Sequence, residues 1–119
     1  MMVTIDFTEE EAAETRELLK AVIEPLEWSI ARTDLGHRQW REFLKKRRAF
    51  VDELIKRLET KLSLELTDEE TRESIAMLSE ALPVLERSIA KTDIGHREFR
   101  EFLKKRRDLV EELIKRLEK

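Results

Sequence analysis

The chain has 119 residues, 43% charged and 40% hydrophobic, with two Gly, two Pro and no Cys. That length holds one modest domain, and the mixture is that of long amphipathic helices rather than of a disordered chain. A net charge of −3 gives no bulk pull toward nucleic acid or anionic lipid, and the lack of Cys excludes disulfides, thiolate catalysis and Cys-ligated metal.

The chain opens on Met1-Met2-Val3-Thr4-Ile5-Asp6-Phe7. It carries no basic region followed by a long apolar stretch, so a cytoplasmic protein without a secretory leader is expected. Val3, Ile5 and Phe7 alternate with polar residues, the period of a strand with one buried face. Thr8 with Glu11 three residues on is a capping-box signature, so a helix starts there. Its apolar stripe is Leu18, Leu19, Val22, Leu26 and Ile30. Pro25 lies inside it and should kink or break it. Thr33-Asp34-Leu35-Gly36 reads as a turn, with Asp34 capping the next helix and Gly36 closing the previous one. The second helix runs from about His37 to Leu58, with Trp40, Phe43, Leu44, Phe50, Val51, Leu54, Ile55 and Leu58 as its buried stripe.

The chain then repeats itself. Shifted by 59 positions, residues 3–59 match at 31 of 57 places. Leu62-Ser63-Leu64-Glu65-Leu66 is the second strand, and Thr67 with Glu70 repeats the capping box. Met77, Leu78, Ala81, Leu85 and Ile89 form the third helix's stripe, again with an internal proline, Pro83. Phe99, Phe102, Leu103, Leu109, Val110, Leu113, Ile114 and Leu117 form the fourth. Such self-similarity is a tandem duplication, left by gene duplication or by a designer. Short turns make each helix pair antiparallel, and the two-residue Thr60-Lys61 link brings the second strand back beside the first. The expected fold is therefore mainly α. Two pseudo-symmetric strand–helix–helix units, 1–59 and 60–119, form a four-helix bundle with a two-stranded antiparallel ribbon, as one compact domain over 1–119.

Charge divides between the helices, net −6 over residues 3–36 and net +4 over residues 37–59. The plain reading is electrostatic matching of neighbours plus pairs such as Glu53–Arg57. The functional reading is a basic stripe of Arg38, Arg41, Lys45, Arg48 and Lys56 that touches phosphate or an acidic partner. Trp28 falls on the back of the first helix, either as an interface contact or buried by a change of helical phase at Pro25. Lys45-Lys46-Arg47-Arg48 resembles a basic tag in linear form, but on a helix the four fan around the circumference. Arg47 and Arg106 fall mid-stripe, so each should bury its stem and meet a carboxylate in a core-flanking ion pair. His37 and His96 have Arg41 and Arg100 at i+4 in place of a second ligand, so no metal is expected. No catalytic constellation emerges, and no cofactor is implied.

The order strand, Thr-Glu-Glu-Glu cap, helix, Thr-Asp turn, then Trp/Phe-Arg-Glu-Phe-Leu-Lys resembles small uncharacterised bacterial strand–helix–helix proteins about one unit long. It also resembles ribbon-helix-helix repressors, which implies paired strands reading the DNA major groove. Here the outward strand residues are Thr4, Asp6, Ser63 and Glu65, which set acid where such proteins place basic or amide side chains. The expected role is thus a non-catalytic interaction or scaffold module. Its partner is another protein or itself, as monomer or homodimer, with no membrane. A nucleic-acid-binding regulator is the alternative.

Overall fold

A computed structural model describes residues 2–33, 35–92 and 94–118. Strand β1 (Met2–Asp6) leads into helix α1 (Glu9–Arg32), and a short 3₁₀ turn at Leu35–His37 leads into α2 (Arg38–Thr60). The order recurs as β2 (Ser63–Thr67), α3 (Asp68–Lys91), a 3₁₀ turn at Ile94–His96 and α4 (Arg97–Leu117). The protein is mainly helical, with a two-stranded antiparallel sheet and the helix pairs α1–α2 and α3–α4 in contact, as the hydrophobic periods imply.

The helix starts follow from side-chain chemistry. Thr8 and Glu11 exchange reciprocal hydrogen bonds at 3.1 Å, and Thr67 and Glu70 do the same. Each box satisfies two orphan N–H donors, behind which Glu9 and Glu10, or Asp68 and Glu69, sit on the positive helix pole. The helix ends depart from expectation. Gly36 does not close α1, since no glycine among the described residues takes positive φ. Thr33 is the C-cap, extended, its hydroxyl donating to the Ser29 carbonyl at 2.6 Å, and Thr92 repeats this on Ser88. The capping role expected of Asp34 falls outside the described residues.

The prolines do not break the helices either. Both α1 and α3 run unbroken for 24 residues, about 36 Å at 1.5 Å per residue. Pro25 and Pro83 are exposed, as are Ala21 and Ser79 one turn earlier. Water can therefore serve the carbonyls that lose their amide partner.

By its contacts the chain divides into two compact units, Asp6–Leu64 and Met1–Ile5 with Glu65–Lys119. The first strand's opening residues thus pack with the second hairpin. Within the first unit the Phe7 amide donates to the Leu62 carbonyl at 2.8 Å. In an antiparallel ladder this sets the two residues opposite one another. Ile5, Phe7, Leu64 and Leu66 are buried as the alternation requires. Val3 is half-buried and Leu62, expected inward, is exposed, being at the ribbon's end.

Each hairpin is antiparallel, and its core lies toward the strand end. In α1 the buried residues are Ala12, Thr15, Leu18 and Leu19, all in its first half, while Val22, Leu26 and Ile30 are half-buried. In α2 they are Leu44, Arg47, Val51, Leu54, Ile55 and Leu58. The Arg16 guanidinium donates to the Leu58 carbonyl at 3.0 Å, serving an orphan acceptor in the last turns of α2.

Thr15 and its counterpart Ser74 are both buried, and their hydroxyls find no partner among the described residues. An unsatisfied buried hydroxyl costs roughly 1–3 kcal/mol, so removing it without changing shape should cost nothing. Thr15→Val and Ser74→Ala are expected to leave stability unchanged or raise it by up to about 1 kcal/mol, roughly 4 °C in Tm for a chain of this size. Thermal unfolding followed by circular dichroism checks this, and a loss beyond about 1 kcal/mol would show that the hydroxyls are bonded.

Candidate interaction surface

The turn end of each hairpin is closed by one arginine. From the first turn of α2, Arg41 Nε donates to the Ile30 carbonyl at 3.3 Å, and Arg100 Nε donates to Ile89 at the same distance. These carbonyls belong to the last turns of α1 and α3, where they also accept the Thr33 and Thr92 amides at 3.3 Å. Arg41, read from sequence as a contact residue, therefore also holds the hairpin shut.

Beside it lies an open groove of about 470 Å³, lined by Glu27, Ile30 and Ala31 of α1 and Arg41, Lys45 and Arg48 of α2. Three of the six sequence-predicted contact residues, Arg41, Lys45 and Arg48, thus come together, and Lys56 is not among the lining residues. Arg38 is exposed and not part of the lining. Trp28 is exposed too, with the Arg32 guanidinium 4.0 Å from its ring centre. The groove charges are partly neutralised. Arg48 meets Glu27 at 2.8 Å, and Lys45 meets Glu42 at 3.6 Å. Both pairs are solvent-exposed and worth at most about 1 kcal/mol each. Arg48 Nε is buried without a hydrogen-bond partner among the described residues. All six lining residues recur unchanged in the second repeat as Glu86, Ile89, Ala90, Arg100, Lys104 and Arg107. There Arg107 bonds Asp108 at 3.1 Å, an acid that replaces Ala49.

The aromatic residues expected to extend the buried stripes are instead exposed. Trp40 is 54% and Phe43 36% accessible, and Phe99 and Phe102 are 53% and 47%. The rings stack in pairs, with centres 5.2 Å apart for Trp40–Phe43 and 6.2 Å for Phe99–Phe102. Their helical phase is that of the core. What fails is cover, because the turn half of α1 is exposed at Glu24, Pro25, Glu27, Trp28 and Arg32.

Arg47 is buried, and its guanidinium lies 4.7 Å from the Phe43 ring centre. Arg106 is half-buried, 4.6 Å from Phe102. The burial expected of these stems is therefore accompanied by a cation–π contact that sequence reasoning did not anticipate. His37 and His96 occupy the N-cap positions of α2 and α4, are exposed, and make no side-chain cap hydrogen bond. Among the described residues no cluster of three or more His, Cys, Asp or Glu could hold a metal.

A signal for the exposed aromatics is present in the sequence, in where the repeats agree. Residues 26–48 match 85–107 at 18 of 23 positions, whereas 3–25 match 62–84 at only five of 23. The helix halves that carry α1's and most of α3's buried residues have drifted apart. The exposed turn ends have not, and neither has the buried strand-side half of α2, where residues 49–59 match 108–118 at eight of 11 positions. Packing accounts for the second likeness but not for the first.

No protein-family model, curated protein or solved structure matches the chain.

Replacing Arg41 or Arg100 by Ala should destabilise by about 1 kcal/mol, since each removes the hydrogen bond from α2 or α4 to a carbonyl that keeps only the Thr33 or Thr92 amide. Arg48→Ala, which removes an exposed ion pair, should cost less than about 1 kcal/mol. Urea unfolding of the three variants separates the roles, and an Arg48 loss equal to that of Arg41 would contradict the assignment.

Proposed function

We propose that the protein is a non-catalytic interaction module offering two equivalent hairpin tips to protein, either another chain or its own kind. One observation carries this reading. Trp40–Phe43 and Phe99–Phe102, four large rings about half accessible, stand at the same positions of both repeats. Large exposed apolar patches rimmed by polar residues mark binding surfaces on soluble proteins. Aromatic residues and Arg are enriched at protein interfaces, and both concentrate here. The tips add basic charge, six bases against one acid over residues 37–48 and six against two over 96–107. No helix of the described residues is long and apolar enough to cross a membrane. On the ribbon's outer face Thr4, Asp6 and Glu65 are exposed, setting acid where a DNA-reading ribbon needs donors, so a protein partner fits better than a duplex.

A photo-crosslinking residue tests the reading. With Trp40→p-benzoylphenylalanine, irradiation in an extract of the source cells should give protein adducts, to this chain or another. The same probe at Thr4, exposed on the ribbon's outer face, should give far fewer. Adducts to nucleic acid, or none above the Thr4 control, would overturn the proposal.

A further inference from the structure

Charge within each unit is sorted along the hairpin as well as between its helices. The turn-end half of the first unit, residues 21–48, holds seven bases and four acids, net +3. Its strand-end remainder, residues 6–20 and 49–59, holds nine acids and four bases, net −5. In the second unit residues 80–107 hold eight bases and five acids, also net +3. There residues 65–79 and 108–118 hold nine acids and three bases, net −6. Each hairpin is thus a rod with a basic aromatic tip and an acidic base.

From this we infer that the tip's partner is a second copy of this chain, lying antiparallel so that the basic tip of one hairpin covers the acidic strand end of the other. The inference rests on the reading of the tips as protein-docking surfaces and names their occupant. Tip against tip would bring like charges together, and an antiparallel pair avoids this at both ends at once. It is also isologous, the same surface serving on both copies, as a closed two-fold assembly requires. The area is in the right range. The two rings of one tip expose roughly 200 Å² of aromatic surface, and an antiparallel pair buries that tip together with the acidic strand end of the same hairpin, toward the ~800 Å² each partner commits in a standard interface. Charged rims such as Arg38 and Lys46 against Glu10 and Glu59, all exposed, supply attraction and register rather than most of the affinity.

Sedimentation equilibrium of the full chain at low salt, up to roughly 100 µM, should give twice the 14.2 kDa chain mass, with the dimer weakening as salt rises. Trp40→Ala with Phe99→Ala alters exposed rings only. It should keep the helical circular dichroism and melting temperature yet weaken dimerisation at least about 30-fold, the loss that removal of a central aromatic anchor brings. Two charge variants test the geometry. One combines Arg38→Glu, Lys46→Glu, Arg97→Glu and Lys105→Glu, giving acidic tips on acidic bases. The other combines Glu10→Lys, Glu59→Lys, Glu69→Lys and Glu118→Lys, giving basic tips on basic bases. Each alone should be monomeric, and an equimolar mixture should form the heterodimer. A monomeric wild-type chain, a dimer indifferent to loss of the two rings, or charge variants that stay dimeric alone would each overturn the inference. If the chain is monomeric while the probe at position 40 still marks another protein, the docking role stands and only the second copy falls.

Discussion

A single strand cannot satisfy its own backbone, and that constraint shapes the whole chain. One strand–helix–helix unit carries five extended residues whose N–H and C=O groups need a ladder partner, and a strand earns stability only when paired and packed on something apolar. Duplication supplies the partner within one chain. β1 and β2 pair antiparallel, and the contacts then assign Met1–Ile5 to the unit of the second hairpin. With the ribbon fixed, Phe7, Leu64 and Leu66 must face inward, and the capping boxes at Thr8 and Thr67 launch their helices directly from the strand ends. The core accordingly gathers where the ribbon is and thins toward the turns.

The turns are therefore held by polar chemistry. Thr33 and Arg41 close one hairpin, and Thr92 and Arg100 close the other, by hydrogen bonds to the carbonyls of Ser29, Ile30, Ser88 and Ile89. Such bonds fix geometry at a net gain of about 1 kcal/mol each and require no apolar cover. This leaves the aromatic rings of the first turns of α2 and α4 available to something outside the hairpin. Ring stacking and the guanidinium over each Phe hold the rings in one arrangement, so the proposed docking surface is already ordered.

Most of the fold was legible because its signals are local. Period-two alternation, Thr-x-x-Glu boxes and apolar stripes each depend on a few neighbouring residues, and β1, β2 and the four helices lie within a few residues of where those signals set them. Where reading failed, the missing information was tertiary. Pro25 is tolerated because its side of the helix faces water, a fact about neighbours rather than about proline. Gly36 spends its conformational freedom in an ordinary turn, because Thr33 already caps the helix. Trp40 and Phe43 have the phase of a core stripe, and phase cannot say where the opposing helix stops offering apolar cover. For the site, Arg41, Lys45 and Arg48 were found by spacing, since i, i+4 and i+7 share a helix face. Arg41's second role was not, because its acceptor lies 11 residues away across a turn.

The presence of two like tips bears directly on the proposed docking role. A chain with one tip binds a partner once, whereas a chain with two equivalent tips binds the second time from an already tethered state. The second contact then depends on the effective concentration set by the link rather than on the concentration in solution. Two modest interfaces, each built on two stacked rings and a basic rim, can in this way act as one firm one. Their likeness is the condition for it, since both tips must recognise the same kind of surface. That condition is met in Glu27, Ile30, Ala31, Arg41, Phe43, Lys45 and Arg48 and their counterparts, whereas the first halves of α1 and α3 differ. Stability constrains a hydrophobic core by volume and pattern, so Leu18 can become Met77 and Thr15 can become Ser74 at little cost. Under the proposed docking role, recognition constrains identity at the exposed Arg41, Phe43, Lys45 and Arg48, as packing does at Val51, Leu54, Ile55 and Leu58.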